Sequence, residues 1–258
     1  MELAVVVSSC DSFRDAWAPF FYFFAKRWPD CPYPVYLITN HGTYRDPLVR
    51  CLPVGRDRGW SDNLSLALNR IETPHILYLQ EDYFLTRPVH TEHLREDIAL
   101  MQRHCAAYLG LYPIPMPEEA VFDGHPRIGR LAAGAAMRVS LQAAVWDVAA
   151  LRSLLRPGET GWDMERSGSD RSRDRLFLRM NSFETAPLDY FFTAIKRGAW
   201  EPGAVEMCRQ ENIALDLRFR PVRPATKWQR FKRKWSFRLE SLGQRIRPRH
   251  FEIAALPR

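Results

Sequence analysis

The sequence predicts an α/β fold, with a mostly parallel central sheet, flanking helices and a basic amphipathic helix near the carboxyl terminus. Three observations predict it. Short apolar runs that suit buried parallel strands recur at LAVVV (residues 3–7), PVYLITN (34–40) and HILYLQED (75–82). Segments with apolar residues at helical spacing separate them, so that strand, helix, strand, helix, strand follow in order with right-handed crossovers. Finally, TKWQRFKRKWSFRLESLGQRIRPRH (226–250) places large apolar residues at steps of three and four within a strongly basic stretch.

Leu3 to Val7 ends on Ser8 and Ser9, so the strand opens into a polar loop. A helix from about Asp15 to Arg27 carries Trp17, Phe20, Phe21 and Phe24 on one face and stops at Pro29 and Asp30. Pro34 to Asn40 is the second strand, and a short strand is expected around Arg50 to Val54. SDNLSLALNRI (61–71) reads as a helix capped by Ser61 or Asp62, with Leu64, Leu68 and Ile71 as its stripe. The strand HILYLQED follows. Glu92 to His104 reads as helical, Ala106 to Ile114 as extended, and Met137 to Trp146 as a strand leading into a helix to Leu155. RPGETGWDMERSGSDRSRD (156–174) has no periodicity and is expected to be a polar loop, of a length that is usually functional or mobile. FFTAIKRGAW (191–200) is expected to be a core helix rather than an aromatic sugar platform, with Trp200 suited to either. Residues 1–222 thus form one domain and residues 223–258 a basic tail.

The 258 residues, 46% hydrophobic and 26% charged, suffice for one sizeable domain with an appendage. The amino terminus has no basic leader, and WAPFFYFF (17–24) is far short of the roughly 20 residues of a membrane span. Five scattered cysteines without a CxxC pair fit reduced thiols in a cytoplasmic protein. A net charge of +7 points to an anionic partner. The histidines form no HxH or HExxH arrangement. No P-loop, G-x-S-x-G or Rossmann glycine fingerprint occurs, which argues against kinase, hydrolase and dehydrogenase chemistry.

Two constellations carry candidate chemistry. Glu81 and Asp82 end a core strand, and in parallel sheets ligands bind beyond the carboxyl ends of strands. Either they are solvated or capping acids, or they hold a hard cation that keeps several waters and binds substrate phosphates. In GWDMERSGSD (161–170), Trp162 offers a flat surface for a sugar face, and Asp163 or Glu165 a carboxylate for an acceptor hydroxyl. The alternative is a helix amino terminus, where acids favour the dipole.

Together, the strand with SSCDSF, the aromatic helix ending in WPD, the W-S-D helix start, the acidic strand end and the W-D-x-E segment resemble an inverting glycosyltransferase of the GT-A fold. They are similar to small bacterial sugar transferases of surface-polysaccharide clusters, over most of residues 1–205. The resemblance implies that Ser8, Ser9, Cys10, Asp11 and Arg14 hold the nucleotide, with Trp60, Asp62 and Glu81 beside the ribose or diphosphate. It implies that Asp82 matches the second Asp of an Asp-x-Asp motif and binds Mn2+ or Mg2+; Gln80 stands where the first Asp is expected, so basic residues are an alternative to the cation. It further implies Glu165 as general base, Asp163 as second candidate and Trp162 on the acceptor side, with a UDP-sugar as donor and a glycan or lipid-linked acceptor. The rival classes are a sugar-phosphate nucleotidyltransferase, whose glycine-rich loop SSCDSF lacks, and a non-catalytic membrane or nucleic-acid binding protein.

In the basic stretch, Trp228, Phe231, Trp235, Leu239, Leu242 and Ile246 form one stripe surrounded by cations. A helix over 226–247 would lie peripherally on an anionic membrane surface at the inner face of the plasma membrane, or pack on the domain; nucleic acid ranks last, because no binding motif accompanies the charge.

Overall fold

The computed structural model describes residues 2–223 and 250–256. Every side chain of β1 (Leu3–Ser8) is buried. Alternate residues of a strand face opposite sides. Leu3, Val5 and Val7 accordingly enter one core, packed with the aromatic face of α1 (Trp17–Arg27), which follows a 3-10 turn at Asp11–Ala16. Ala4 and Val6 enter the second core on the other face.

The chain continues through β2 (Val35–Thr39), β3 (Gly42–Arg45), β4 (Val49–Pro53), α2 (Trp60–Leu68), β5 (His75–Gln80) and α3 (Thr91–Arg103). β6 (Tyr108–Gly110), β7 (Ile128–Arg130), β8 (Ala144–Asp147), α4 (Val148–Leu154), α5 (Gly161–Arg171) and β9 (Phe177–Met180) follow. A hairpin of β10 (Ile195–Lys196) and β11 (Ala199–Trp200), then α6 (Pro202–Gln210) and β12 (Phe251–Ala254), complete the described elements.

The main sheet has eight strands in the order β4-β2-β1-β5-β8-β6-β9-β7. Strands β4, β2, β1 and β5 are mutually parallel, and β6 pairs in parallel with β9. β8 runs antiparallel to β5 and β6, so its entry, Leu141 to Ala143, lies beside the carboxyl ends of its neighbours. This is the mostly parallel α/β sheet with flanking helices that the sequence predicts.

Three local expectations are corrected. Residues 161–171 form a helix, because Thr160 and Asp163 close a capping box and Met164, Glu165 and Gly168 bury one face. Residues 191–200 form a hairpin, whose turn residues Arg197 and Gly198 both have positive φ, at 54° and 73°. The strand expected from Met137 begins only at Ala144.

Residues 250–256, within the expected tail, lie on the domain, where β12 pairs with β3 in parallel. Phe251 packs over Gly42 and stacks on Trp17 at 5.9 Å between ring centroids. The helix expected over 226–247 lies outside the described residues. Among the described residues no helix is long and apolar enough to cross a membrane.

Candidate functional site

Ser8 and Gln80 are register partners at the carboxyl ends of β1 and β5. Just past them, the Asp82 Oδ2 accepts hydrogen bonds from Thr193 Oγ1 at 2.6 Å and from the Ile195 amide at 3.2 Å, while its carbonyl accepts one from the Ala194 amide at 2.9 Å. The segment before β10 thereby clamps the acidic turn. Glu81 is only 7% exposed, and no other described residue donates a hydrogen bond to its carboxylate. Burial, then the charge of Asp82, holds the Glu81 carboxyl well above the ordinary range; burial also raises Asp82, against the hydrogen bond from Thr193. Burial pushes the neighbouring Cys10 thiol up to about 12, with Glu81 and Asp57 adding to the effect. The raised value favours the neutral thiol, and all five cysteines are free.

The counter-charge in this pocket comes from Arg220. Its guanidinium, nearly buried, donates to Asp15 at 2.7 and 2.9 Å and to the Ser12 carbonyl at 2.6 Å, and it favours the ionised forms of both Glu81 and Asp82. Phe13, Arg220, Phe219, Arg14 and Phe251 alternate rings and guanidiniums, with cation-to-centroid distances of 4.6, 5.9, 4.0 and 5.2 Å along the series. No local pattern in the sequence marks Arg220, whose partners lie some two hundred residues away.

The residues expected around a nucleotide divide into two groups. Ser8, Ser9, Cys10, Trp60 and Glu81 gather at this edge. The Ser9 hydroxyl accepts from Trp17 Nε1 at 2.8 Å, and Trp60 Nε1 donates to the Tyr78 hydroxyl at 2.9 Å. Asp11 and Asp62 instead hold loops together. The Asp11 carboxylate accepts from the amides of Asn40, His41 and Gly42 at 2.8–3.1 Å, tying the loop after β1 to the loop after β2. Asp62 Oδ2 accepts from the Gly158 amide at 2.7 Å. Arg14 is stacked between Phe219 and Phe251.

Helix α5 starts against α2, for a Cβ on Gly161 would meet Leu141 at 2.7 Å and Trp60 at 4.0 Å. Asp163 spends both oxygens locally, on the Thr160 amide and hydroxyl and on Arg166, and those hydrogen bonds hold its carboxyl below the ordinary range. Its position is that of the helix-capping alternative. Glu165 points inward: Oε1 accepts from the Leu141 amide at 2.8 Å, and burial raises its carboxyl. The Leu141 carbonyl in turn accepts from the Tyr83 hydroxyl at 3.2 Å. Glu165 and Tyr83, the residue after Asp82, therefore bond the two backbone groups of one residue, Leu141. Trp162 is 75% exposed on the outer face of α5.

A stability measurement checks the strain at Glu81. A buried acid that binds its proton more tightly when folded favours the fold at low pH, and that contribution is lost as pH rises from the unfolded value through the raised one. Glu81→Gln is therefore expected to melt above the wild type at pH 8, by about 1–3 kcal/mol of relieved desolvation, and the gap should close near pH 4. Equal melting curves at pH 8 would contradict it.

No family model matches the sequence, and no curated protein matches it. Solved structures match in fold. S. aureus TarS residues 1–349, in complex with UDP-GlcNAc, aligns at a TM-score of 0.51 and 14% identity over 78% of this chain and 60% of that one. The chain thus spans about three fifths of that fragment. A CMP:2-keto-3-deoxy-manno-octonic acid synthetase complexed with CTP aligns at a TM-score of 0.45 and 12% identity, over 82% of this chain and 98% of the other. The likeness to the TarS fragment, with the strand order and the acidic turn at the carboxyl edge, establishes a GT-A-like α/β fold.

Proposed function

We propose that the chain is an inverting glycosyltransferase, moving a sugar from a nucleotide-sugar donor, a UDP-sugar first, to a glycan or lipid-linked acceptor in bacterial surface-polysaccharide synthesis. The observation that supports the reading is the buried Glu81–Asp82 pair beyond β5, beside Cys10 of the loop after β1, with Glu165 linked to the following residue, Tyr83, through Leu141. The fold likeness to a structure that contains UDP-GlcNAc supports uridine as the base.

In this reading the donor lies across the ends of β1 and β5, with its sugar toward Leu141. Glu165 takes the proton of the acceptor hydroxyl as its oxygen attacks the anomeric carbon, and the nucleoside diphosphate leaves on the opposite face. A raised carboxyl is the better base of the two candidates, since Asp163 is held low and already bonded.

Among the described residues no cluster of three or more His, Cys, Asp or Glu side chains could cage a metal. The donor set instead fits a cation that arrives with a diphosphate: Glu81 has a carboxylate without a side-chain partner, Asp82 engages Thr193 and Ile195 through Oδ2 and leaves Oδ1 for a ligand, and two carboxylates plus phosphates and water suffice for Mg2+ or Mn2+. When bound, such a cation would offset the leaving charge. The basic stretch over 226–247 would face the anionic surface on which a lipid-linked acceptor is presented.

Thermal shift with uridine, guanosine, cytidine and thymidine diphosphates, with and without Mn2+, tests the reading. UDP with Mn2+ at about a hundred times its Kd should add about 2.7 kcal/mol, or roughly 5–10 °C for a chain of this size. Silence toward all four would contradict the proposal, and a clearly larger shift with the corresponding nucleoside triphosphates, run beside them, would transfer the chain to nucleotidyl transfer.

A further inference from the structure

The end of β6 reaches the same edge of the sheet, where the Leu111 amide donates to the Ala143 carbonyl at 2.8 Å. The next residue, Tyr112, has its ring 5.1 Å from Phe183, 5.3 Å from Phe192 and 6.0 Å from Tyr190. Tyr190 stacks on Tyr83 at 4.7 Å, with 26° between the planes. A continuous series of rings therefore leads from the residue after Asp82 to the surface. It ends on Phe183 and Phe192, which are 42% and 49% exposed. Phe192 also immediately precedes Thr193, whose hydroxyl donates to Asp82.

Single exposed apolar residues need no explanation, but adjoining exposed rings beside the Asp82 turn do. Polar groups flank them. The Tyr190 hydroxyl accepts from the Ala143 amide and donates to Gln142 Oε1 at 2.8 Å, and the Gln142 side-chain nitrogen has no hydrogen-bond partner among the described residues. The Asp189 carboxylate, which accepts from Thr86 Oγ1, lies near enough to Tyr112 for its charge to act on the phenol. The electron-rich faces of aromatic rings attract the weakly positive C–H bonds on one side of a pyranose, while a carboxylate and an amide beside them match its hydroxyls.

We infer that Tyr112, Phe183 and Phe192 form an acceptor platform, on which a pyranose unit of a glycan chain stacks next to the Asp82 turn. The inference rests on the glycosyl-transfer reading and names the acceptor's binding surface within it. It places that surface on the β6 and β10 side of the cleft, in addition to Trp162 on α5.

An array of immobilised hexopyranose oligosaccharides and polysaccharide fragments tests it, with the full chain as probe. Wild type should be retained on a subset of glycans, and Phe192→Ala and Phe183→Ala should each weaken retention tenfold or more. Leu48→Ala, an exposed residue before β4, should change nothing. UDP thermal shift run beside the array separates the two readings: equal UDP shifts in wild type and Phe192→Ala, with glycan retention lost only in the variant, support the platform and the donor site together. Glycan retention lost in the variant without any UDP response would keep the platform and remove the donor reading. Wild-type retention on no glycan, retention unchanged by both substitutions, or a self-association in sedimentation that Phe192→Ala abolishes would overturn the platform.

Discussion

Replacing Arg220 by methionine should lower the melting temperature by about 6–20 °C. Arg220 and Asp15 are a nearly buried pair, with side chains 4% and 9% exposed, joined by two hydrogen bonds. Breaking a buried pair from one side costs about 3–5 kcal/mol, because the remaining charge is left without compensation. Each kcal/mol moves the midpoint by about 2–4 °C at this size. The same substitution removes two of the contacts in the alternating series of rings and guanidiniums, so the loop after β1 loses its anchor to residues 219–220. Much of the loss is expected to return in the double variant Asp15→Asn, Arg220→Met, which removes both charges. Thermal denaturation of wild type, the two single variants and the double variant reads the coupling. A shift under 1 °C for Arg220→Met would show that the pair contributes nothing.

Glu165→Gln should reduce turnover by about 10²–10⁴, the range of general-base assistance, while leaving the UDP thermal shift within experimental scatter. Glutamine keeps an oxygen for the Leu141 amide and so preserves the link that a structural role would need. Only the base is lost. The pH profile supplies a second readout. In the glycosyl-transfer reading the ionised carboxylate is the active form, and burial raises its pKa, so wild-type turnover is expected to fall on acidification at a pH above the ordinary glutamate value of about 4.3. This acid limb should vanish in the glutamine variant. Full turnover in Glu165→Gln, with the limb intact, would confine the residue to holding Leu141 in place.

The strands at the centre of the sheet were legible because both faces of β1 and β5 are buried, which leaves continuous apolar runs in the sequence. The carboxylates after β5 were legible for the same reason, as an abrupt end to such a run. Helix α5 was not. Only Met164, Glu165 and Gly168 of its residues are buried, so it carries no apolar stripe, and its amino end is written in a Thr-x-x-Asp box instead of a hydrophobic period. The β10–β11 hairpin did leave a trace in Arg197-Gly198, which the aromatic residues around it masked. β3 was invisible, since its partner β12 lies about two hundred residues downstream. The aromatic platform was legible only in part: a sugar platform within 191–200 was the lesser alternative to a core helix, and Tyr112 follows β6 while Phe183 and Phe192 both lie in the β9–β10 connection, so tertiary structure is what places the three rings together.

The pairing of β12 with β3 changes what a deletion of the basic stretch would mean. A chain truncated after Arg223 would lose the cations and, with them, the Phe251 ring that covers Gly42 and Trp17 and closes the far side of Arg14. Its phenotype would mix a missing surface charge with a disturbed loop after β1. Only an internal excision that rejoins Arg223 to His250 through a short neutral bridge isolates the contribution of the intervening residues.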